Sequence, residues 1–296
     1  MPTPAELEMM ATALSASGNY RVLRRLVPKT RLREPDGTES RQGIFIDLET
    51  TGLDPVHDEI IEIAMVPFRY GVNGYIYEVG EPFQRLRQPS KPIPAEITAL
   101  TGIDDAMVAG HVVTQAEVSA FVSPASLVVA HNAGFDRRFA ERFSDVFVTK
   151  AWACSMSQID WAQLGFSGTK LRYLAADAGF FYDGHRAIHD CQAAVSLLAE
   201  PRADGTIPFT RMLERARKPT IRLWAENSPF ELKDHLKARG YRWNPDATTA
   251  PRAWYIDVEE NALRAEVEYL SREIYQREVE PLSRRITAYD RFSERA

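Results

Sequence analysis

The residues of this chain that could do chemistry are mainly acids. In GIFIDLETTGLDP, residues 43–55, the apolar run Ile44-Phe45-Ile46 leads into Asp47 and Glu49 and then breaks at Thr50-Thr51-Gly52. Residues two apart in a strand share a face, so these two carboxylates repel each other unless a cation lies between them. About six acid-x-acid pairs are expected by chance in a chain this acidic, so the spacing alone is a weak signal. Its position strengthens it: the pair sits at the carboxyl end of a strand, where α/β proteins place their sites. Two more acids stand at expected helix starts, Asp136 in HNAGFD (131–136) and Asp190 in GHRAIHDCQAA (184–194). The bland alternative for each is a solvated carboxylate near a helix dipole. His131 precedes Asp136 by five residues and His185 precedes Asp190 by five. Chance supplies about one such pair in three chains of this composition, so spacing cannot say which histidine would act. His189 is a third candidate.

Four carboxylates and a histidine form a coherent set. Mg²⁺ takes carboxylate oxygens and keeps several waters. Two divalent ions can bridge the attacking and leaving oxygens of a phosphodiester, and they would relieve the Asp47–Glu49 repulsion. A histidine at the rim could take the proton of the attacking water. No Cys/His spacing suggests zinc, and no G-x-x-x-x-G-K-[ST] loop suggests nucleotide hydrolysis.

In order along the chain, D-L-E-T-T-G (47–52), I-P-A-E-I-T-A-L-T-G-I (93–103), H-N-A-G-F-D (131–136) and H-R-A-I-H-D (185–190) resemble the motifs of the DEDDh 3′–5′ exonuclease superfamily. Proofreading epsilon subunits of bacterial replicative polymerases, ribonuclease T and oligoribonuclease belong to that superfamily. The resemblance spans about residues 42–200. It implies an α/β fold, an RNase H-like mixed sheet flanked by helices. It also implies metal ligation by Asp47, Glu49, Asp136 and Asp190, with two Mg²⁺ (or Mn²⁺) ions as cofactors. His185 becomes the general base, since the superfamily's histidine precedes the last aspartate. Thr50, Thr51 and Leu53 fall where relatives hold the terminal nucleotide, and His131 falls near the substrate or braces the helix start. The implied reaction releases nucleoside 5′-monophosphates from the 3′ end of a nucleic acid, with single-stranded DNA as the expected substrate and RNA as the alternative. No motif residue is missing, which argues against a non-catalytic binding adaptor.

The elements that must position these residues can be read from hydrophobic periodicity. Residues 43–49, 59–70 and 74–79 read as three antiparallel strands turning at Gly71–Gly74, and SLVVA (126–130) as a fourth strand. Helices are expected over 94–101, near 114–122, over 132–143, 170–179 and 190–200. Residues 4–17 read as a helix with Thr3 as N-cap and Pro4 in its first position, followed by a polar linker at 30–40. After Pro208 a second pattern begins. Strands at 220–226, 241–244 and 252–258 and helices at 229–240 and 260–276 suggest a small C-terminal α+β domain over 217–296. The catalytic domain is expected over 41–205.

The chain has 296 residues and a net charge of −5. By segment, residues 1–40 carry 6 basic and 5 acidic side chains, residues 41–210 carry 13 and 21, and residues 211–296 carry 17 and 15. An acidic middle suits a cation-binding centre. In the tail, Arg222, Lys233, Lys237, Arg239 and Arg242 alternate with aromatics, which suits the holding of a nucleic-acid strand; Trp224 and Trp254 lie in apolar-patterned strands and read as core. The resemblance also allows a polymerase or repair partner, although the tail has no match to the polymerase-binding tail of epsilon subunits. No run approaches the roughly 18 apolar residues that span a bilayer. Two cysteines, the absence of an apolar leader in residues 2–8 and the lack of a membrane segment fit a cytoplasmic protein.

Overall fold

The computed structural model describes residues 1–245 and 250–295. Helix α1 (Pro4–Ala16) is followed by the two-residue strand β1 (Arg24–Arg25). Then come β2 (Ser40–Thr50), β3 (Ile60–Gly71), β4 (Ile76–Val79) and β5 (Phe83–Leu86). Next are three short helices, α2 (Ala95–Thr101), α3 (Asp105–Val108) and α4 (Gln115–Val122). Strand β6 (Leu127–Ala130), helix α5 (Ala133–Phe143) and strand β7 (Ala151–Cys154) lead to α6 (Leu171–Asp177), β8 (Phe180–Phe181), α7 (Ala187–Ala199) and α8 (Pro208–Arg217). The remainder is β9 (Thr220–Ala225), α9 (Lys233–Ala238), β10 (Arg242–Trp243), β11 (Trp254–Val258), α10 (Leu263–Tyr269) and β12 (Ser283–Ile286).

The central sheet runs β4-β3-β2-β6-β7, with β5 also paired to β3. Strands β2, β3 and β4 are antiparallel neighbours, as the turn residues predict, whereas β6 joins β2 in parallel and β7 joins β6 in parallel. The sheet is therefore mixed, flanked by helices on both faces, as expected. Ile44, Phe45 and Ile46 are all fully buried because both faces of β2 are covered. Phe45 packs toward Cys191, Ala194 and Leu198 of α7, while Ile44 and Ile46 pack toward Phe139 and Ala140 of α5. Asp47 and Glu49 continue the Phe45 face, so strand parity alone delivers them to the α7 side. Gly43 lies opposite Phe68, whose ring occupies the space a Cβ would need.

Several expectations change. Helix α7 starts at Ala187, so Asp190 lies one turn inside it rather than opening it. The helix expected over 229–240 is split into a 3-10 turn at Phe230–Leu232 and α9, and Ser228 does not cap it. Residues 30–40 are bound to the sheet and do not behave as a free linker: the Leu32 and Arg33 amides donate to the Tyr77 carbonyl and the Tyr77 hydroxyl donates to Asp36. Helix α1 has the expected Thr3 capping box and Pro4, but its apolar stripe is exposed and the helix buries no residue. Strands β5, β7 and β12 and helix α8 go beyond the expected elements. Helix α8 is the legible one of these, since Phe209, Met212, Leu213 and Ala216 form a buried stripe at helical spacing. Its Phe209 packs edge-on against Phe68 and Tyr70 of the central core. No helix among the described residues is long and apolar enough to cross a membrane.

The C-terminal sheet, order β10-β11-β9-β12, is antiparallel throughout. Beyond β12 the chain returns to the central core. Trp152 on the β7 edge donates its amide to the Ala288 carbonyl. Arg137, fully buried on α5, donates to the carbonyls of Tyr289 (2.6 Å) and Arg291 (2.7 Å) and to Glu141 (2.7 Å). Glu141 in turn accepts from Ser293 and Arg295. Removing this buried guanidinium leaves the carbonyls of Tyr289 and Arg291 without their donor and takes one of the partners of Glu141. Arg137→Ala should therefore cost about 3–5 kcal/mol. The loss should appear as a lowered melting temperature together with new proteolytic cleavage after residue 286; a melting temperature within a degree or two of wild type would refute this clamp.

Candidate active site

Strand β2 outruns its parallel neighbour. Pairing with β6 ends at Phe45↔Val129, whereas β2 continues to Thr50. The backbone beyond Phe45 on that side is therefore free to meet side chains. Asp136, in the first turn of α5, accepts from the Leu48 amide there and is 2 % exposed. A β-bulge comes next, between Glu49 and Thr50, where register with β3 shifts from Glu49↔Glu62 to Thr50↔Ile60. Bulges twist and re-aim a strand, and this one ends the ladder at the site.

Asp47 and Glu49 from β2 and Asp190 from α7 bring one carboxylate oxygen each within 4.8 Å of one another. All three are half-buried. Burial, followed by the fields of Asp136, Asp190, Glu49 and Glu62, pushes the Asp47 carboxyl well above its ordinary range. Burial and then Asp190 and Glu62 raise Glu49 to about 8. Burial raises Asp136 and Asp190 as well. So many carboxylates cannot all ionise in this space without a counter-charge. The donor set is all oxygen, and that suits a hard divalent cation.

Asp190 accepts from the Tyr182 hydroxyl on one oxygen (2.8 Å) and from the His185 amide on the other (2.9 Å). His185 is exposed, in the left-handed region with φ 64°, on the loop that enters α7. Its backbone is thus fixed by a ligand-like acid while its ring faces solvent-accessible space. His189 has its Nδ1 against the Asp183 carbonyl at 2.9 Å. His131 has both ring nitrogens engaged, Nδ1 with the Ser155 hydroxyl (2.9 Å) and Nε2 with the Thr169 carbonyl (2.8 Å). Burial lowers its pKa to about 4, so it is neutral and ties the end of β6 to the segment before α6. Asn132 occupies the helix start at φ 85° but makes no side-chain cap bond.

The loop after the bulge is braced internally. The Thr50 hydroxyl donates to the Gly52 carbonyl. The Thr51 hydroxyl donates to Asp58 (3.1 Å) and accepts from the Glu59 amide (3.0 Å). A Cβ at Gly52 would meet the Asp58 carboxylate at 2.4 Å, so only glycine lets this carboxylate approach. Thr50 and Thr51 thus shape the loop, and Leu53 is left 84 % exposed at its tip.

Three residues escape the pattern of the sequence: Tyr182, Glu62 and Arg186. Glu62, with no exposed surface, accepts from Arg186 Nη2 (2.9 Å), the Ala187 amide (3.0 Å) and Gln84 (2.7 Å). It satisfies the first turn of α7 and pairs with Arg186, whose charge also acts on Glu49. The available signal was an acid in the middle of the apolar strand EIIEIAMVPFRY. Such a residue is rarely buried without a partner.

Comparison with known proteins agrees with this geometry. A family model described as exonuclease (RNase_T) matches residues 44–198, more than half of the chain. A DNA polymerase III PolC-type protein of Caldanaerobacter subterraneus is 28 % identical over 195 residues, covering 63 % of this chain and 13 % of the relative. A DNA polymerase III subunit epsilon-like protein of Rhodobacter capsulatus is 42 % identical over 102 residues, covering 33 % of this chain and 14 % of the relative. The chain thus spans only about an eighth of the length of the PolC-type relative. A solved structure of exonuclease X with 5′-overhanging duplex DNA is 27 % identical, covers 57 % of this chain and 99 % of that one, and superposes with a TM-score of 0.42. The family match, laid over a mixed sheet with acids converging from β2 and α7, identifies the chain as a member of the exonuclease family.

Proposed function

We propose that this chain is a metal-dependent 3′–5′ exonuclease that releases nucleoside 5′-monophosphates, with single-stranded DNA as substrate. The observation that carries the reading is the convergence of Asp47, Glu49 and Asp190 within 4.8 Å, with Asp136 close enough to raise the pKa of Asp47. Arg186 is paired with Glu62 and offsets only part of the charge at Glu49, whose carboxyl is still raised, so these acids fit a pair of Mg²⁺ or Mn²⁺ ions. When bound, such ions would supply Lewis-acid charge against the developing phosphoryl negative charge. Asp47, Glu49, Asp136 and Asp190 would hold them. His185 takes the proton of the attacking water. Its loop is anchored through its own amide to Asp190, so the base and a ligand move together. Leu53 packs on the terminal base, from a loop whose shape Thr50 and Thr51 hold. His131 acts from behind, through Ser155 and Thr169. The DNA preference is supported by the DNA polymerase names of the relatives, which also make a polymerase or repair partner the expected context.

Asp47→Asn should abolish Mg²⁺- or Mn²⁺-dependent mononucleotide release, and His185→Ala should lower kcat by about 10²–10⁴ with little change in KM. Full turnover in Asp47→Asn would sink the assignment. Matched DNA and RNA oligomers assayed side by side decide the sugar. The metal-free protein should show the acid repulsion directly. Glu49 ordinarily titrates at 4.5 and is raised to about 8 in the fold. Between those values the folded state holds a proton that the unfolded state has lost, so stability is complete below about pH 4.5 and falls as pH rises toward 8. Added Mg²⁺ or Mn²⁺ should raise the melting temperature more at pH 8 than at pH 5, and Glu49→Gln should flatten the pH dependence of the metal-free protein. An equal metal effect at both pH values would contradict the arrangement.

A further inference from the structure

A cleft of about 550 Å³ lies between the central core and the C-terminal sheet. One wall is α5, at Gly134 and Arg138; another is the end of α8, at Arg215 and Lys218; the rest comes from Ser157 and Gln158 after β7, the C-terminal sheet with its flanking residues, and the returning segment 291–294. A smaller hollow of about 160 Å³ adjoins it and shares Gln158, Arg215, Lys218 and Glu259, so the two form one groove. The charge of the larger cleft opposes that of the chain. Six basic residues line it (Arg138, Arg215, Lys218, Arg222, Arg242, Arg291) against three acids (Asp257, Glu259, Glu294), a net of +3 in a protein of net −5.

Much of that positive charge is unspent. Arg222 and Arg242 share the single carboxylate of Asp257. Arg291 donates to the backbone carbonyls of Ala216 and Lys218, which carry no charge to offset it. Arg215 and Lys218 are exposed, and among the described residues neither side chain has an ion pair or hydrogen bond. A concave wall of net positive charge raises the local concentration of anions more than scattered surface charges do. A phosphate-bearing ligand is the chemistry that fits.

The aromatics decide how it would be read. Tyr255 lies under both Arg222 (4.5 Å) and Arg242 (4.8 Å), and Trp224 is 3 % exposed. The Tyr255 ring is therefore covered by guanidinium groups and Trp224 is core, as its apolar-patterned strand implied, so neither offers the groove a stacking surface. Of the other basic residues singled out in the tail, Arg239 pairs with Glu266, Lys237 with Asp234, and Lys233 lies over the Phe230 ring. We infer that this groove binds the phosphodiester backbone of a single nucleic-acid strand, through Arg215 and Lys218, without reading its bases. The choice of nucleic acid as the ligand rests on the exonuclease reading; the cationic groove does not.

Binding can be measured without catalysis. Fluorescence anisotropy of a labelled oligonucleotide of about 20 nucleotides is recorded with full-length protein in EDTA over a range of salt, so that no turnover occurs. Arg215→Glu/Lys218→Glu should weaken binding at least tenfold and reduce the slope of log K against log salt by about 1.4, two contacts' worth for a single strand. Lys233→Glu/Lys237→Glu, the same charge change outside the groove, should stay within about twofold of wild type. Oligo-dT and oligo-dA should bind alike, and thymidine 5′-monophosphate at millimolar concentration should not displace them. An unchanged affinity in the groove variant, an equal loss in the control, a marked preference for dA, or displacement by the mononucleotide would each overturn the assignment. Because both side chains are exposed, Arg215→Gln/Lys218→Gln serves if charge reversal harms the fold. Metal-dependent hydrolysis by wild type, assayed separately, reports on the exonuclease reading alone.

Discussion

The structure depends on holding mutually repelling carboxylates in a half-buried space. Asp47, Glu49, Asp136 and Asp190 come from one strand and two helices, and burial pushes each of them away from ionisation, with neighbouring carboxylates adding to the effect at Asp47, Glu49 and Asp136. Nothing local would assemble such a group. It survives because the surrounding elements are fixed by larger interactions: β2 is buried on both faces, α7 packs on one and α5 on the other. The apolar core offsets the electrostatic cost, and a hard cation suits what remains.

Beside that centre the chain places a counter-charge of its own, Arg186. Glu62 sits across from Glu49 in the β2–β3 register, and by itself it would add to the repulsion. Its carboxylate instead binds Arg186 and the Ala187 amide, which fixes the start of α7 and with it the loop of His185. A buried acid thereby becomes a structural anchor for the segment that carries the exposed histidine. Removing one member of such a pair is far more damaging than never having had it.

The C-terminal segment is tied to the core by similar means. Arg137 spends its guanidinium on main-chain carbonyls beyond β12 and on Glu141. This brings the C-terminal sheet beside α5 and α8 and creates a concave surface that neither part has alone. The net positive charge of that surface, on an acidic protein, arises only from the juxtaposition of residues distant in sequence.

The sequence by itself determined the central part of this protein. The apolar run before Asp47, the order of the four motifs and the parity of residues 45, 47 and 49 were enough to place the acids at the end of a central strand and to expect a mixed sheet. Those features are local periodicities or ordered residue types, and they survive translation into three dimensions. Other features were decided only by tertiary structure. Glu62 looked like one acid in an apolar strand, and its partner lies 124 residues away. His131 and His185 share the same spacing to an aspartate, yet one has both nitrogens engaged and the other is exposed. The short polar strand β12 has no apolar alternation, because its place is specified by pairing with β9 and by the docking of residues 288–291 on Trp152 and Arg137. The tail arginines looked like part of a nucleic-acid surface, but ion pairs hold Arg222, Arg239 and Arg242, while Trp224 is buried as its apolar-patterned strand implied. Whether a charge is free or spent depends on who faces it, and contacts across the fold are not written in the spacing of residues along the chain.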